Sequence, residues 1–505
     1  MAQKISHELV TIQRSGNLIS FGATEELYAA LRPKLSYRHK TYYQGWELKQ
    51  RKQQKRLNPS LPMIPLFDVE VRAMCDYKNG KILCAAGLKH RVVKFLEKHS
   101  IPWLFEDLRK RKLSLANYDL LLDRFPDLEF RFKQDEVLAL IDSAEGGIID
   151  APTGFGKTFL ATLICTVYPR DRICFLSPGI DLIKSTYARL LQVVPGDVGR
   201  VGGGFYEPDK RVTLGSVDSV HKIDLSKMNL IIGDEIHAFA TPDRMNSLCS
   251  QYTDAKWIGF TASLNKRADG GDALIEALFG PVLTRITYKD AVEEGTVSDI
   301  LAQFITLSRS EHSPILGEDM VSNKRIAYWC NRERNEKIAE YVRQAESLVD
   351  VKNPQIMIMV ETVEHIFELK RFLPDFEPVY ANLDVDTRER LLSRGLITED
   401  EQMTPQRRQW LLKNFEDGTL KHVIANKCWK QGIDPKHLNI FVRADGGTSE
   451  IDSIQLPGRL SRVTSDKKEG LLLDIWDEWH PWALSRSKKR EKSYAENGFK
   501  VLARI

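Results

Sequence analysis

The run Gly147-Ile148-Ile149 leads through Ala151-Pro152-Thr153-Gly154-Phe155-Gly156-Lys157-Thr158 into Phe159-Leu160-Ala161-Thr162-Leu163-Ile164. This order of strand, loop and helix constrains the chain more than any other stretch. A short apolar strand that delivers a glycine-containing loop to a helix N-terminus belongs to a layered α/β sheet. The loop turns successive backbone N–H groups toward one point, and the helix N-terminus adds partial positive charge there, which suits the phosphates of a nucleotide. Thr153, Gly154 and Gly156 shape the loop, Lys157 reaches the β and γ phosphates, and Thr158 holds Mg²⁺. The first position of the usual G-x-x-x-x-G-K-[ST] pattern is Ala151, small enough for the loop to close. A glycine-rich turn with an incidental Lys-Thr is the alternative, and residues downstream decide between them.

At 505 residues the chain is too long for one core, and about one domain per 150 residues implies three or four. Its formal net charge is only +4, so a nucleic-acid surface has to come from local clustering. The seven cysteines are scattered without a C-x-x-C pair and read as small buried side chains in a reducing compartment. The N-terminal segment is polar, and about 18 uninterrupted apolar residues occur nowhere. These features lead us to expect no membrane partner and a cytoplasmic location, nucleoid-associated if the protein binds DNA.

Residues 1–122 mix short strand-like runs with a helix near Lys89–His99 and read as a small α/β (α+β) module. Positions 32–56 carry nine Lys/Arg, including Arg51, Lys52, Lys55 and Arg56, against the single acid Glu47, with Tyr37, Tyr42, Tyr43 and Trp46 interleaved. Such a run can neutralise phosphates and stack on bases. It can equally be a solvated basic loop whose aromatics belong to a local core. From 123 to 302 apolar strands at Gly147–Asp150, Arg172–Leu176, Leu230–Gly233 and Trp257–Phe260 alternate with helical stretches, the rhythm of a parallel sheet. A second α/β series in 303–505 has strands near Gln355–Val360, His422–Ala425, Asn439–Arg443 and Gly470–Asp474 but no phosphate loop. The tail from Arg486 to Ile505 is basic and then apolar. A helix packing back on this domain explains it as well as a DNA contact does.

Asp234-Glu235-Ile236-His237 follows the apolar strand, 77 residues after Lys157. Asp234 is placed to hold Mg²⁺ through its water shell, and Glu235 to orient or deprotonate the attacking water. Phe260-Thr261-Ala262-Ser263 ends the next strand, where the hydroxyls of Thr261 and Ser263 could bond across to His237. In Gln455-Leu456-Pro457-Gly458-Arg459-Leu460-Ser461-Arg462, two arginines three apart share a helical face and suit arginine fingers that stabilise charge on the γ-phosphate.

These four stretches resemble motifs I, II, III and VI of superfamily 2 helicases, in order and at suitable spacings. Arg131 and Gln134 resemble the upstream R-x-x-Q element, with Gln134 reading the adenine edge. Ser177-Pro178 and Gly215-Ser216 resemble motifs Ia and Ib, which contact the nucleic-acid backbone in that family. Gly432 and Asp434 fall in a stretch similar to motif V, which links ATP and nucleic acid, while Gln455 opens the motif VI pattern. The DExH form of motif II, Gly202-Gly203-Gly204, Val385–Arg388 and Q-x-x-G-R-x-x-R look most like phage UvsW-type helicases and their XPB and RecG relatives. Cys75-Asp76-Tyr77 through Gly87-Leu88 resembles the substrate-binding domain of the UvsW type.

The resemblance implies two tandem RecA-like parallel-sheet domains (123–302 and 303–505, the latter with a basic C-terminal helix) behind an N-terminal DNA-binding domain (1–122). It implies an ATP- and Mg²⁺-dependent monomeric motor on branched DNA, serving fork regression, Holliday-junction migration or R-loop unwinding, the last involving RNA–DNA hybrids. A general duplex translocase or an RNA helicase shares the same motor motifs. A scaffold with a dead ATPase is disfavoured, because Lys157, Glu235, Arg459 and Arg462 are all present.

Overall fold

The computed structural model describes residues 8–42, 47, 50, 67–262, 264, 269–317, 319–348, 351, 353–381, 383–429, 433, 435–449, 452–453, 457–461 and 469–505. It divides into two compact units, one of residues 1–150 with 157–285 and the other of 151–156 with 286–505. The strand Asp299–Leu307, across which the expected division at 302 falls, lies whole in the sheet of the second unit.

The first unit opens with a five-stranded sheet in the order Cys75–Lys78, Lys81–Ala85, Leu18–Gly22, Val10–Ser15, Trp103–Asp107. Ile12, Ile19 and Phe21 alternate inward along their strands and meet Val92, Phe95 and Leu96, the apolar stripe of helix Lys89–Lys98. Ser36–Tyr42 and Phe67–Ala73 form a separate antiparallel ribbon.

The eight-stranded sheet of this unit runs Phe205–Tyr206, Val198–Gly202, Val212–Ser216, Ile173–Ser177, Leu230–Gly233, Lys256–Thr261, Gly147–Asp150, Val282–Arg285. Every neighbouring pair is parallel except the first. Strands such as Ile173–Ser177 and Leu230–Gly233 are buried at every position, which is why they read as unbroken apolar runs rather than alternating ones.

The second unit carries seven parallel strands in the order Glu377–Val379, His422–Ala425, Gln355–Met359, Leu438–Arg443, Glu469–Asp477, Asp299–Leu307, Lys500–Val501. The basic tail follows the first of its two expected readings, a helix packed back on this unit. Its helix spans Pro481–Glu496, with Pro481 at the first turn, and ends before Gly498 in the left-handed region (φ 84°), after which the chain adds an edge strand. Arg490 of this helix is fully buried and donates from Nε to Asp474 Oδ2 at 2.9 Å.

Cys75, Cys84, Cys165 and Cys174 are buried as expected, whereas Cys249 is exposed and Cys330 and Cys428 are half-buried. Among the described residues no helix is long and apolar enough to cross a membrane.

Candidate active site

In a parallel sheet the strands' C-terminal ends share one edge, and the loops leaving that edge hold ligands. Asp150, Ser177, Ser216, Gly233 and Thr261 all close strands of the first sheet there. The loop after Asp150 turns through Gly154 (φ 93°) and Gly156 (φ 95°), conformations that a side chain would strain. Ala151 and Phe155 are buried and anchor the loop from within, and Phe155 N–H donates to the Pro152 carbonyl at 3.3 Å. Helix Lys157–Val167 starts at once, with Lys157 buried and Thr158 half-buried in its first turn. Asp150 Oδ2 accepts from Arg285 Nε at 2.9 Å, tying the loop's strand to its edge neighbour.

Asp234 extends the adjoining strand by donating its N–H to the Leu176 carbonyl at 2.9 Å. Its buried carboxyl is pushed up to about 6, first by loss of water and then by the Glu235 charge, with Lys157 and His237 pulling the other way. An acid held in this way gains most from a cation, so the pair suits a divalent ion. Among the described residues no group of three or more His, Cys, Asp and Glu could hold one alone.

Glu235 sits in the left-handed region (φ 49°), where a residue with a Cβ is strained by about 1–3 kcal/mol. Its Oε2 lies 3.3 Å from His237 Nδ1, and the same nitrogen lies 3.2 Å from Thr261 Oγ1. Glu235, His237 and Thr261 therefore form one contiguous polar chain along the sheet edge, with His237 and Thr261 buried.

Other expected residues stand as follows. Gln134 is buried at the start of helix Gln134–Ser143, and its Oε1 accepts from Arg131 N–H at 3.1 Å, while Arg131 is exposed. Ser177 and Ser216 are register partners. Both are buried, and Ser216 caps the following turn by accepting from Asp218 N–H at 3.2 Å. Pro178 is half-buried, and Gly215 is buried within its strand. In the second unit Pro457–Ser461 is a 3₁₀ turn, and the buried Arg459 donates from Nη1 to the Ile433 carbonyl at 2.5 Å. This links the motif VI stretch to the motif V stretch. Gln455, Arg462, Gly432, Asp434, Ser263, Arg51, Lys52, Lys55 and Arg56 lie outside the described residues.

Sequence reasoning missed two features. The Arg200 guanidinium lies against both Tyr187 and Phe205, which needed the sheet order to be known. The Arg91–Glu276 contact joins residues 185 apart and carried no sequence signal.

A parallel sheet that brings an Asp-Glu pair and a His-Thr contact to one edge, beside the buried Lys157, in a chain with a second such sheet, is the architecture of nucleoside-triphosphatases built on tandem RecA-like domains. Residues 127–266 match the family model described as type III restriction enzyme, res subunit. The DNA 3'-5' translocase XPB2 of Sulfurisphaera tokodaii is 25% identical over 418 residues, spanning 78% of this chain and 90% of that protein. A fragment of a putative HsdR subunit of a type I restriction enzyme from Vibrio vulnificus YJ016 superposes with a TM-score of 0.52 at 16% identity, covering 77% of this chain and 71% of that one. The T4 UvsW structure aligns over 99% of both chains with a TM-score of 0.43 and 16% identity. These similarities support a superfamily 2 helicase of the DExH type that hydrolyses ATP.

Proposed function

We propose that this enzyme is a DNA helicase or translocase that works on branched DNA, as in fork regression, Holliday-junction migration and R-loop unwinding. The observation that carries the DNA reading is the similarity to XPB2, a protein named as a DNA translocase, over most of both chains. The branch preference rests on the resemblance of Cys75-Asp76-Tyr77 through Gly87-Leu88, within residues 1–122, to a UvsW-type substrate-binding module. In this reading the two motor domains follow residue 122 and divide before the strand Asp299–Leu307, which belongs to the second, and the protein acts as a cytoplasmic monomer.

The loop backbone and Lys157 hold the phosphates, and Arg131 and Gln134 meet the adenine. Asp234 and Thr158 would hold Mg²⁺, which would supply neutralisation of phosphate charge. Glu235 orients the attacking water, held in its strained backbone geometry by the edge of the sheet. His237 and Thr261 carry the state of Glu235 toward the nucleic-acid side, with Ser263 assisting. Arg459 and Arg462 supply donors for the charge that develops on the transferred phosphoryl group, supported by Gln455, Gly432 and Asp434. Contacts through the ends of the strands at Ser177, Pro178, Gly215 and Ser216 address the backbone and carry no base specificity.

Steady-state ATPase with no nucleic acid, single strands, plain duplex, a four-way junction and single-stranded RNA tests the reading, with Lys157→Ala as the blank. Strongest stimulation by the junction is expected. Equal stimulation by plain duplex, or a preference for RNA, would overturn the branched-DNA assignment.

A further inference from the structure

Ser177 and Ser216 are buried, so side-chain contacts at that end of the sheet fall to their exposed neighbours. The most exposed of these is a short hairpin. Strand Val198–Gly202 runs parallel to Val212–Ser216, which brings Gly202 to the same edge as Ser216, Ser177 and Asp234. The chain then turns through Gly203 and Gly204 and returns antiparallel as Phe205–Tyr206, with Phe205 opposite Gly202. Gly203 (φ 62°) packs so tightly that a Cβ there would lie 2.9 Å from Ile180 Cγ2, just after the Ser177-Pro178 stretch.

The hairpin and helix Ile180–Val193 together form a cationic and aromatic cluster. The Arg200 guanidinium lies 4.0 Å from the centre of the Tyr187 ring and 3.6 Å from that of Phe205. Among the described residues no carboxylate pairs with this guanidinium, and its buried Nε has no hydrogen-bond partner. Phe205 lies one register step nearer the hairpin tip than Tyr206 and two nearer than the level of Arg200, so it is the member of this cluster nearest the sheet edge. Phe205 is 44% exposed, and Tyr206, at 68%, points to the other face of the ribbon. A half-exposed ring beside an unpaired cation offers a surface to something flat and electron-rich.

We propose that the Gly202–Tyr206 hairpin is a base-stacking platform for single-stranded DNA, with a base covering the exposed Phe205 ring beside Arg200. This rests on the DNA-motor reading. It adds to it a side-chain contact with the bases that the buried serines cannot provide. Sequence tolerance follows, because every base offers a stacking face.

The test uses the full-length protein and a single strand bearing 5-iododeoxyuridine for photocrosslinking, with peptide mapping and equilibrium binding in parallel. The wild type should crosslink at Phe205 or Tyr206. Phe205→Ser with Tyr206→Ser should lose that crosslink and bind roughly 5- to 100-fold more weakly. Phe205→Trp with Tyr206 intact should keep both. The thermal midpoint and the ATPase without DNA should match the wild type, as a check on folding. Unchanged affinity in the serine variant, or crosslinks confined to other segments, would overturn the platform while leaving the motor reading intact. A wild type that no DNA binds or stimulates would overturn both.

Discussion

Glu276 offers a quantitative check on how the N-terminal module is held to the first motor sheet. On helix Asp272–Phe279, its carboxylate accepts from Arg91 Nε at 2.8 Å and from Arg91 Nη2, and lies 2.6 Å from His90 Nε2. Burial would raise this carboxyl, but the bonds from His90 and Arg91 outweigh it and hold the group down at about 2, against an ordinary 4.5. That gap corresponds to about 3 kcal/mol at 1.36 kcal/mol per unit. Because the side chains of Glu276 and Arg91 are 24% and 26% exposed, solvent screening reduces the figure to about 2 kcal/mol. The group is depressed in the folded state, so its contribution is full above pH 4.5 and fades as the pH falls toward 2. Glu276→Gln should therefore weaken protection of helix Lys89–Lys98 by about 2 kcal/mol at pH 7, and the gap should shrink to less than half by about pH 3 and close below about pH 2. Hydrogen exchange at those amides is the assay, since a chain of this size does not unfold in one step. An equal gap at pH 7 and pH 3, or none at pH 7, would refute the reasoning.

Four further outcomes are expected. Lys157→Ala should abolish hydrolysis in a steady-state assay, and normal turnover would remove the phosphate-loop assignment. Thr261→Val, which deletes the hydroxyl facing His237 Nδ1, should leave ATPase without DNA within about threefold of wild type yet lose most of its stimulation by DNA; stimulation preserved in full would make the contact structural. Gly87→Ala would place a Cβ 2.4 Å from the Glu276 and Ala277 carbonyls, and overpacking of this kind costs about 1–3 kcal/mol, readable as a lower thermal midpoint. Neutralising Arg51, Lys52, Lys55 and Arg56 together should weaken branched-DNA binding and flatten its salt dependence, whereas an unaltered slope would leave that run as a solvated loop.

The central strands of both motor sheets were readable because they are buried on both faces, so runs such as Leu230-Ile231-Ile232 stand out without any knowledge of their neighbours. The edges were not. Val282–Arg285 has no fully buried position, and Val198–Gly202 contains two glycines, so neither stands out as a strand. The candidate catalytic residues were legible because phosphate chemistry demands particular side chains at strand ends, which also brings His237 within reach of Thr261. What a side chain does at those ends was less legible. Ser177 and Ser216 turn inward, and Arg490, read only as part of a basic tail, is consumed by Asp474 in the core. Each depends on a partner distant in sequence, so local pattern carries no information about it. The same holds for the parallel pairing of Val10–Ser15 with Trp103–Asp107 in the first small sheet.

The position of Gly147–Asp150 between Lys256–Thr261 and Val282–Arg285 sets a schedule for the chain as it is made. The strand that carries the phosphate loop gains its second neighbour only once Arg285 has left the ribosome, about 135 residues after Asp150. At about 5–20 residues per second that is a wait of about 7 to 27 s. During this interval Ile148 and Ile149, destined for complete burial, lack the partners that will cover them. A nascent chain stalled before residue 256 is consequently the form most open to chaperone capture or aggregation, and synthesis across residues 256–285 is the stretch that ends the exposure.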